Sequence, residues 1–404
     1  MKYLFVHQNF PGQYLHFVRH LLTDPKNDIV FISEPNVNNI PGVRRVSYQM
    51  PKIPNEDIHV CARDWDMAAR RAEAVASTAA NLKQLGFRPD IIIGHHGWGE
   101  MLNLQDVWPD VPILGYFEFF YRTEGQDVGF DPEYPIEPGR FPRIRAMNVI
   151  NLLALAMEAH GQTPTQWQHS LYPEWAQRQI KVLPEGARLD VCKPDPAIRK
   201  QNLDVGEFRI APGDKLITYV ARNLEPYRGF HVIMRALPAL LSRPDVKVVL
   251  IGGDDVSYGA RLQDSTWRQH FQAELAGKYD ASRVLMPGQV PYELYLKLLQ
   301  RSDAHVYITY PFVVSWSLRE ALACGCAVVA GDVDPVRELV THGKNGLLVP
   351  ALDSRNLATT ILDLLENPKL DRRLRTGARR YAEANLDMKA TIRGLEEHVA
   401  SLIG

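Results

Sequence analysis

Residues 305–330 read HVYITYPFVVSWSLREALACGCAVVA and change pattern twice along their length. The runs at 305–309 and 326–330 are apolar and rich in β-branched residues, which predicts buried strands. The segment between them has helical spacing and is stopped by Gly325. A helix between two buried strands is typical of a parallel β-α-β unit, so these residues assign the chain to the α/β class.

The same alternation of buried strands and helical segments continues along the rest of the chain in two series. In the first series we predict strands at 2–7, 28–33, 90–95, 112–117 and 179–183, and helices near 12–22, 62–85 and 144–159. In the second series we predict strands at 215–221, 246–251, 283–286, 305–309, 326–330 and 346–349. Each series predicts a doubly wound parallel sheet of the Rossmann-like type.

A segment rich in turn-forming residues, 184–196, separates the two series,. A chain of 404 residues is too long for one small core, which agrees with two domains,. We predict an N-terminal domain at 1–192 and a C-terminal domain at 193–386. The amphipathic pattern at 387–404 predicts a last helix that joins the N-terminal domain.

The charges of the chain nearly cancel, because 46 Lys and Arg accompany 47 Asp and Glu for a net charge of -1. The chain as a whole therefore has no net electrostatic attraction to nucleic acid or anionic lipid, and any such contact needs a local patch of positive charge. The four cysteines do not make a disulfide framework, and the pair at Cys324 and Cys326 lacks the second pair that a zinc site needs,. Without an uncharged apolar run of about 18 residues, we expect a cytoplasmic protein.

Neither series has a Gly-x-Gly-x-x-Gly motif after its first strand, and a Gly-x-x-x-x-Gly-Lys-Ser/Thr loop is also missing. A dinucleotide site and nucleotide hydrolysis therefore lose their best support. The stretch VARNLEPYRG at 220–229 instead places Arg222 and Arg228 on either side of a turn that opens a helix. Guanidinium groups and a helix start together suit a diphosphate. In the alternative interpretation, both arginines pair with surface carboxylates such as Glu225.

The loop before the helix of the central β-α-β unit is a second candidate for anion binding. We predict free backbone amides around Val314, Ser315 and Trp316, because the first turn of a helix has amides without internal partners. Glu320 follows in the first helical turns, where it can accept hydrogen bonds from ribose hydroxyls. Ser317 and Glu320 also have the spacing of a capping box, in which the glutamate only folds back on a backbone amide.

In the order of its motifs, the chain resembles the retaining GT-B glycosyltransferases of family 4. The stretches that carry the resemblance in the second half are RNLEPYRG at 222–229, IGG at 251–253, PGQVPYELY at 287–295, EALACG at 320–325 and GKNGLLV at 343–349. Those in the first half, similar to one branch of the family, are HQNFPGQ at 7–13, HHGWGE at 95–100 and FDPEYP at 130–135. The resemblance implies two Rossmann-like domains facing across a cleft, where a sugar leaves a nucleotide diphosphate with retention at the anomeric carbon.

The resemblance also implies which residues bind the donor. Arg222 and Arg228 match the Arg and Lys that hold the diphosphate. Glu320 matches the second glutamate of the family's Glu-x7-Glu pattern, which contacts the ribose. The backbone at Gln289 and Val290 matches the segment that lies against the base. The remaining donor-binding residues lie in the first loop and in the loop before the helix: Gly12, Gln13, Val314, Ser315 and Trp316.

Two positions depart from the family pattern. Phe312 stands where relatives have the first glutamate, which touches the donor sugar, and a phenyl ring cannot make that contact. After the strand at 112–117 many relatives have a His near the transferred sugar, whereas this chain has Glu118. We predict that Glu118 recognises sugar hydroxyls or reaches the β-face of the sugar, and that His95, at another strand end, faces the same site. In the alternative interpretation, Glu118 is a solvated loop carboxylate and the His95 ring only stacks on its loop or caps it. Together with Arg222 and Arg228, these two are the predicted catalytic residues.

The expected acceptor is a glycan or a lipid-linked molecule, in the synthesis of a cell-surface polysaccharide or glycoconjugate. A set of arginines can touch a lipid-linked pyrophosphate or an anionic membrane, although the acidic residues between them favour a solvated helix face: Arg63, Arg70, Arg71, Arg140, Arg143 and Arg145,. We expect no nucleic-acid partner. The sequence leaves the oligomeric state open.

We expect neither a cofactor nor a bound metal, because two arginines and a helix dipole can stabilise the leaving diphosphate. The donor is a nucleotide-diphosphate sugar, with UDP expected before GDP. Two rival functions fit the same fold. One is a nucleotide-sugar epimerase, which needs no acceptor, and the other is a non-catalytic glycan-binding protein that has kept a transferase fold.

Overall fold

The computed structural model of the protein describes residues 1–49 and 57–404 and divides into two compact units. The N-terminal unit comprises Met1–Glu185 and the last segment of the chain, Lys389–Gly404. The C-terminal unit comprises Gly186–Met388. In the part of the chain that the structure describes, no helix is both long enough and apolar enough to cross a bilayer.

The N-terminal unit is built on a parallel sheet. Its strands are β1 Lys2–Val6, β2 Asp28–Ser33, β3 Val43–Ser47, β4 Ile91–His95, β5 Ile113–Tyr116, β6 His160–Thr163 and β7 Ile180–Val182. They pair in the order β3-β2-β1-β4-β5-β6-β7. The central strands are rich in Ile, Val and Phe and are buried on both faces, as expected for a sheet covered by helices,.

The helices of the N-terminal unit pack on both faces of this sheet. They are α1 Leu15–Leu21, α2 Arg63–Gln84, α3 Leu104–Val107, α4 Phe141–Ala146, α5 Val149–Ala156, α6 Gln166–Leu171 and α7 Glu174–Gln177. Successive side chains of a strand point to opposite faces. On β1, Phe5 therefore packs with Phe17 of α1, whereas Leu4 packs with Val75 of α2.

The C-terminal unit begins with an antiparallel hairpin, β8 Leu203–Val205 and β9 Phe208–Ile210, and continues into a second parallel sheet. The strands of that sheet are β10 Lys215–Asn223, β11 Val246–Gly253, β12 Val284–Gly288, β13 Ala304–Tyr307, β14 Val328–Gly331 and β15 Leu347–Val349. They pair in the order β12-β11-β10-β13-β14-β15. The helices are α8 Phe230–Leu240, α9 Trp267–Glu274, α10 Tyr292–Arg301, α11 Trp316–Ala323, α12 Asp334–Arg337, α13 Ser354–Leu365 and α14 Pro368–Asn385.

The chain leaves the C-terminal unit beside the place where it entered. The amide of Ala187 donates to the carbonyl of Leu386 at 2.7 Å, and the amide of Met388 donates to the carbonyl of Ala187 at 3.1 Å. The last helix, α15 Met388–Ile403, then packs on the core of the N-terminal unit through Ile392 and Val399.

The predicted α/β class with two Rossmann-like parallel sheets is confirmed. The strands β3 and β6 and the β8–β9 hairpin were not predicted, because β6, for example, reads HGQT and lacks an apolar run. The helix predicted at 144–159 is wrong as a single element, since it is interrupted between α4 and α5. At the break, the Asn148 side chain bonds both the amide and the carbonyl of Tyr121, at 2.8 Å each. A side chain that binds a distant backbone segment here ends one helix and starts the next.

Candidate functional site

The first predicted anion-binding feature of the C-terminal unit is the turn after β10. Arg222 is exposed near the end of this strand, and its side chain forms no hydrogen bond or ion pair with any other residue that the structure describes. The chain then turns through Pro226–Arg228 into Gly229, which has a φ of 75°, and α8 follows. A Cβ at position 229 would lie 2.3 Å from the Ile308 side chain, so the turn requires glycine,. Because its side chain is exposed and has no partner among the described residues, Arg222 is available to a ligand.

Arg228, at the other end of this turn, is buried. Its Nη1 donates to Thr309 Oγ1 and to the carbonyl of Val313, at 2.9 Å each. The guanidinium carbon lies 4.9 Å from the ring centroid of Tyr258 and 5.7 Å from that of Phe312. Burial acts to lower the pKa of this guanidinium, but the surrounding tyrosines outweigh it and raise the pKa overall. The turn therefore holds a buried cation with aromatic faces against it.

The alternative in which the two arginines pair with Glu225 is wrong. Glu225 is fully buried and lies at the start of the turn rather than on the surface. Its carboxylate accepts hydrogen bonds from the backbone amides of Ser257, Tyr258 and Gly259, at 3.0, 3.3 and 2.9 Å. Glu225 therefore fixes the loop that carries Tyr258 and so helps to place that ring over Arg228.

Phe312 completes the aromatic surround of Arg228. Its buried ring lies 5.2 Å from the ring of Tyr227 and 4.8 Å from that of Tyr258. The family pattern has a glutamate here, which would neutralise a neighbouring guanidinium. A phenyl ring instead stabilises the cation through its π face and leaves the charge of Arg228 unpaired by a carboxylate at this position.

The loop before α11 is fastened by two of its carbonyl groups. Arg228 binds the carbonyl of Val313, and Nη1 of Arg319 donates to the carbonyl of Val314 at 3.0 Å. Both guanidinium groups are buried. Val314 is therefore held in place through its carbonyl group, and Arg319 was not among the predicted site residues.

The amide of Ser315 is not free, in contrast to the prediction for this residue. It donates to the hydroxyl of Tyr307 at 2.9 Å. The Ser315 side chain does not cap the helix and instead shares a hydrogen bond with Ser317 Oγ at 2.7 Å. The helix α11 begins at the next residue, Trp316, so the positive end of the helix dipole still lies at this loop.

Glu320 does not form the capping box with Ser317 that was the alternative interpretation. Its two carboxylate oxygens accept hydrogen bonds from the hydroxyls of Tyr292 and Tyr295, at 2.7 Å each. These tyrosines are three residues apart on α10, so they reach the same group. Burial raises the pKa of Glu320, and the two hydroxyls act against that shift. The carboxylate is fixed in one orientation and keeps lone pairs for a further donor.

The predicted base-binding segment lies between β12 and α10. Gln289 is exposed, Val290 is half-buried, and Gly288 before them has a φ of 74°. The segment ends at Pro291, which precedes the first residue of α10, Tyr292. Tyr292 binds Glu320, the predicted ribose ligand. The predicted base-binding segment is therefore continuous with a residue that holds this carboxylate.

In the N-terminal unit, the ends of β1, β4 and β5 bring together imidazole, indole and carboxylate groups. The buried ring of His95 stacks on Trp98, with centroids 4.2 Å apart and planes 18° apart. Its Nδ1 accepts a hydrogen bond from the amide of Gly97 at 2.8 Å. The proton of a neutral ring is then on Nε2, which lies 3.5 Å from a carboxylate oxygen of Glu118,. The two predicted residues of this unit therefore lie together.

His7 belongs to the same cluster and was not among the predicted site residues. Its ring centroid lies 5.6 Å from that of His95 and 5.3 Å from that of Trp98. Burial lowers the pKa of His7 to about 3, so the ring is neutral at physiological pH. A signal was present in the sequence, because His7 directly follows a strand, and ligand sites of parallel sheets lie at such ends.

Gly12 and Gln13 lie next to this ring in the turn Gly12–Tyr14. Gly12 has a φ of 55°, and a Cβ there would lie 2.8 Å from the His7 ring. Nε2 of Gln13 is buried and has no hydrogen-bond partner within residues 1–49 and 57–404. The first loop therefore adds an unused donor to the cluster of His7, His95, Trp98 and Glu118.

His96 lies on the other side of β4 and does not join this cluster. Its buried ring packs against Phe117, with centroids 4.8 Å apart. Burial lowers the pKa of His96 to about 3, and neither ring nitrogen has a hydrogen-bond partner in the described part of the chain. A Cβ at Gly115 would lie 2.0 Å from the ring, so this glycine makes room for it.

The arginines predicted to touch an anionic acceptor or membrane are in part paired with carboxylates. The ion pairs are Arg70 with Asp66 at 2.6 Å, Arg143 with Asp64 at 2.9 Å and Arg71 with Glu34 at 3.4 Å. Paired guanidinium groups attract an anion weakly. These contacts favour the alternative of a solvated, salt-bridged helix face over a lipid contact.

Two family models match the chain one after the other. The glycosyl transferase family 4 group matches residues 25–192, and the glycosyl transferases group 1 matches residues 201–381. The first match includes His95 and Glu118, and the second includes the turn after β10 and Glu320.

Curated relatives match over part of their length. The chain is 31% identical over 180 residues to phosphatidyl-myo-inositol mannosyltransferase of Mycolicibacterium smegmatis, which covers 42% of each protein. It is 25% identical over 300 residues to D-inositol 3-phosphate glycosyltransferase of Jonesia denitrificans, which covers 72% of this chain and 65% of the relative. The chain thus spans less than two thirds of the length of these relatives.

Solved structures match over the whole chain. Sucrose-phosphate synthase from Thermosynechococcus elongatus is similar with a TM-score of 0.73 and 18% identity, and the match covers 100% of this chain and 99% of the other. Anabaena HepE in complex with UDP-glucose is similar with a TM-score of 0.70 and 19% identity over the full length of both chains. These matches confirm the predicted GT-B fold.

Proposed function

Because successive parts of this chain match the glycosyl transferase family 4 group and the glycosyl transferases group 1, we propose that it transfers a sugar from a nucleotide-diphosphate sugar to an acceptor hydroxyl, with retention at the anomeric carbon. The observation that carries the proposal is the turn after β10. Among the residues that the structure describes, the Arg222 side chain has no partner, and the buried Arg228 has no ion pair with a carboxylate. Two guanidinium groups near a helix start are suited to the charge that develops on a leaving diphosphate.

In the proposed reaction, the bond between the anomeric carbon and the phosphate oxygen breaks while the acceptor oxygen bonds to the same face of that carbon. The acceptor proton passes to the leaving phosphate. Arg222 and Arg228 stabilise the negative charge on the diphosphate, and Glu320 orients the ribose through the lone pairs that its tyrosines leave unused. We propose that these groups suffice without a metal, since charge stabilisation by fixed donors is a large contribution in such reactions.

The N-terminal unit contributes the His95 and Glu118 pair in this proposal. Nε2 of His95 faces the Glu118 carboxylate at 3.5 Å, which is longer than a normal hydrogen bond,. A sugar hydroxyl that accepts from His95 and donates to Glu118 would bridge the two groups. This role agrees with the lack of a sugar-binding carboxylate at Phe312.

We propose UDP before GDP as the nucleotide, which the UDP-glucose complex of Anabaena HepE supports. For the acceptor we propose a glycan or a lipid-linked molecule, which the mannosyltransferase that acts on phosphatidyl-myo-inositol supports by its name. A role in cell-surface polysaccharide or glycoconjugate synthesis remains part of the proposal.

The test begins with thermal unfolding of the full chain in the presence of UDP, GDP, ADP and their sugars. A ligand that binds the native state raises the melting temperature. We expect one nucleotide family to do so and expect Arg222→Ala to reduce the shift. Incubation of the stabilising donor with candidate acceptors, followed by mass spectrometry, then detects the transferred sugar.

The same experiment separates the rival functions. A new sugar isomer formed from the donor alone would identify an epimerase. Nucleotide binding without turnover on any acceptor would favour a non-catalytic protein, which the loss of the usual glutamate at Phe312 makes a specific rival. If no nucleotide stabilises the protein, the proposed donor site is wrong.

A further inference from the structure

The helix α14 concentrates positive charge in a chain whose net charge is -1. Its basic side chains are Lys369, Arg372, Arg373, Arg375, Arg379 and Arg380, and its acidic ones are Asp371 and Glu383. Like charges three or four residues apart on a helix repel each other. The composition of this helix therefore lowers its stability unless another group balances the charge.

Two of these arginines fasten the helix to the C-terminal unit. Arg375 pairs with Asp371 at 2.6 Å and donates to the carbonyl of Ser302 at 2.7 Å. Arg379 pairs with Glu383 at 2.7 Å and donates to the carbonyl of Cys192 at 2.9 Å. Both acidic residues of the helix are used on this inner side, so the outer side keeps its basic residues without a carboxylate.

The outer side of α14 forms one wall of an open groove of about 1000 Å³. The cations that line it are Lys344, Lys369, Arg372, Arg373 and Arg380, and all five are exposed. Within residues 1–49 and 57–404, none of the five side chains takes part in a hydrogen bond or an ion pair. Thr341 and Thr376 add hydroxyl groups to the same walls. We call this feature the α14 groove.

Close packing brings the two walls of the α14 groove together. Gly377 of α14 lies so near the loop before β15 that a Cβ there would be 2.0 Å from the carbonyl oxygen of Lys344. The glycine thus allows Lys344 to join the arginines, although its charge has the same sign as theirs. Lys369, Arg372 and Arg373 lie in the first turns of α14, where the helix dipole is also positive,. The cations that line the groove and the helix dipole therefore act with the same sign, while Asp371 in these turns is paired with Arg375.

We propose that the α14 groove is a binding site for a multiply phosphorylated anion. Guanidinium groups bind phosphate oxygens through paired hydrogen bonds, and four or five cations in one groove match several phosphates better than a single one. The volume is at the upper end of the range of about 300–1,000 Å³ for small-molecule sites. The site uses none of the residues proposed to bind the donor diphosphate. Its ligand is either a soluble phosphorylated molecule or the headgroup of a lipid.

The test compares two variants that lose the same charge. The groove variant is Arg372→Ala/Arg373→Ala/Arg380→Ala, and the control variant replaces three exposed cations of the same unit, Lys200→Ala/Lys278→Ala/Arg355→Ala. One arm measures binding of inositol hexakisphosphate by calorimetry. The other measures sedimentation with phosphatidylcholine vesicles that contain or lack phosphatidylinositol 4,5-bisphosphate.

In one of the two arms, we expect the groove variant to bind the probe at least about tenfold more weakly than the parent chain. The affinity of the control variant should stay within about twofold of that of the parent chain. Binding of inositol hexakisphosphate would show that a soluble phosphorylated molecule can occupy the groove. Binding of the vesicles without binding of the soluble probe would show that the ligand is a lipid headgroup. Arg222→Ala separates this site from the donor site, because it should leave groove binding unchanged. Equal weakening in the groove and control variants, or no binding in either arm, would overturn the proposal.

Discussion

Arg222 and Arg228 lie on one turn but have different surroundings. Arg222 is exposed and without a partner among the residues described, whereas Arg228 supports Val313 and packs between rings. We expect Arg222→Ala to leave the melting temperature unchanged and to lower kcat/KM. The expected decrease corresponds to a loss of about 3 kcal/mol of transition-state stabilisation. We expect Arg228→Ala to lower both quantities, because it also leaves a buried carbonyl without its donor. Calorimetry and steady-state kinetics measure the two effects, and wild-type turnover in both variants would contradict the diphosphate assignment.

The tyrosine pair on Glu320 makes donor binding depend on pH in a defined direction. The pKa of Glu320 is raised by burial, and the hydroxyls of Tyr292 and Tyr295 act to lower it. As the pH falls through this raised pKa, the carboxylate gains a proton, and the KM for the donor should increase. We expect Tyr292→Phe/Tyr295→Phe to shift that increase to higher pH. Glu320→Gln should remove the pH dependence, and a KM profile that is the same in all three proteins would rule out this role.

At the level of single residues, spacing in the sequence indicated the candidate site residues but not the surroundings of their side chains. Arg222, Arg228 and Glu320 follow from their place after strands and at a helix start. The burial of Arg228 depends on Tyr258 and Phe312, which come from loops far away in the sequence. Sequence spacing gives no measure of such packing, so the aromatic surround was not predicted.

Among the elements, α14 depends on a glycine in its interior. We expect Gly377→Ala to destabilise the protein by about 1–3 kcal/mol, because its Cβ would meet the carbonyl oxygen of Lys344 at 2.0 Å,. Gly394→Ala is the matched control, since that glycine is in α15 and has no neighbouring atom within 4 Å. Alanine at 394 should raise stability by up to about 1 kcal/mol. Urea unfolding of both variants checks the contrast, and equal effects would show that α14 can move away from the loop.

The elements were predictable where a strand has an apolar run or a helix has a regular period. The strands of both sheet centres fulfil that condition, and they were predicted. The strand β3, VRRVS, is at the sheet edge and carries charge, so its pairing with β2 gives little hydrophobic signal,. The break at Asn148 depends on a hydrogen bond to Tyr121, which periodicity within one helix cannot reveal.

For the molecule as a whole, buried histidines make stability depend on pH. Burial lowers the pKa of His7 and of His96 from 6.5 to about 3, so between these values the unfolded chain binds protons that the folded chain does not. Stability is then full above pH 6.5 and is lost as the pH falls toward 3. We expect His96→Leu, which removes one of these rings away from the proposed site, to flatten this dependence. Melting temperatures across that pH range test it, and parallel curves for the variant and the parent would contradict it.

The two-unit organisation and the return of the last helix to the N-terminal domain were predicted from the sequence, whereas the contacts that this helix makes were not. The turn-rich segment at 184–196 predicted the position of the link, and the amphipathic spacing at 387–404 predicted the last helix. Which apolar surface that helix covers depends on contacts such as those of Val399 with the N-terminal core. Such a choice among apolar surfaces is made by packing and has no signature in one sequence.

The pairing of Ala187 with Leu386 and Met388 makes the C-terminal unit a module inserted into the N-terminal one. The polypeptide crosses the junction twice, so one proteolytic nick there would leave the modules covalently linked, and two cuts are needed to remove both covalent links. Because the start and finish of the inserted module are neighbours, a gene fragment for 186–388 is suited to separate expression and to circular permutation.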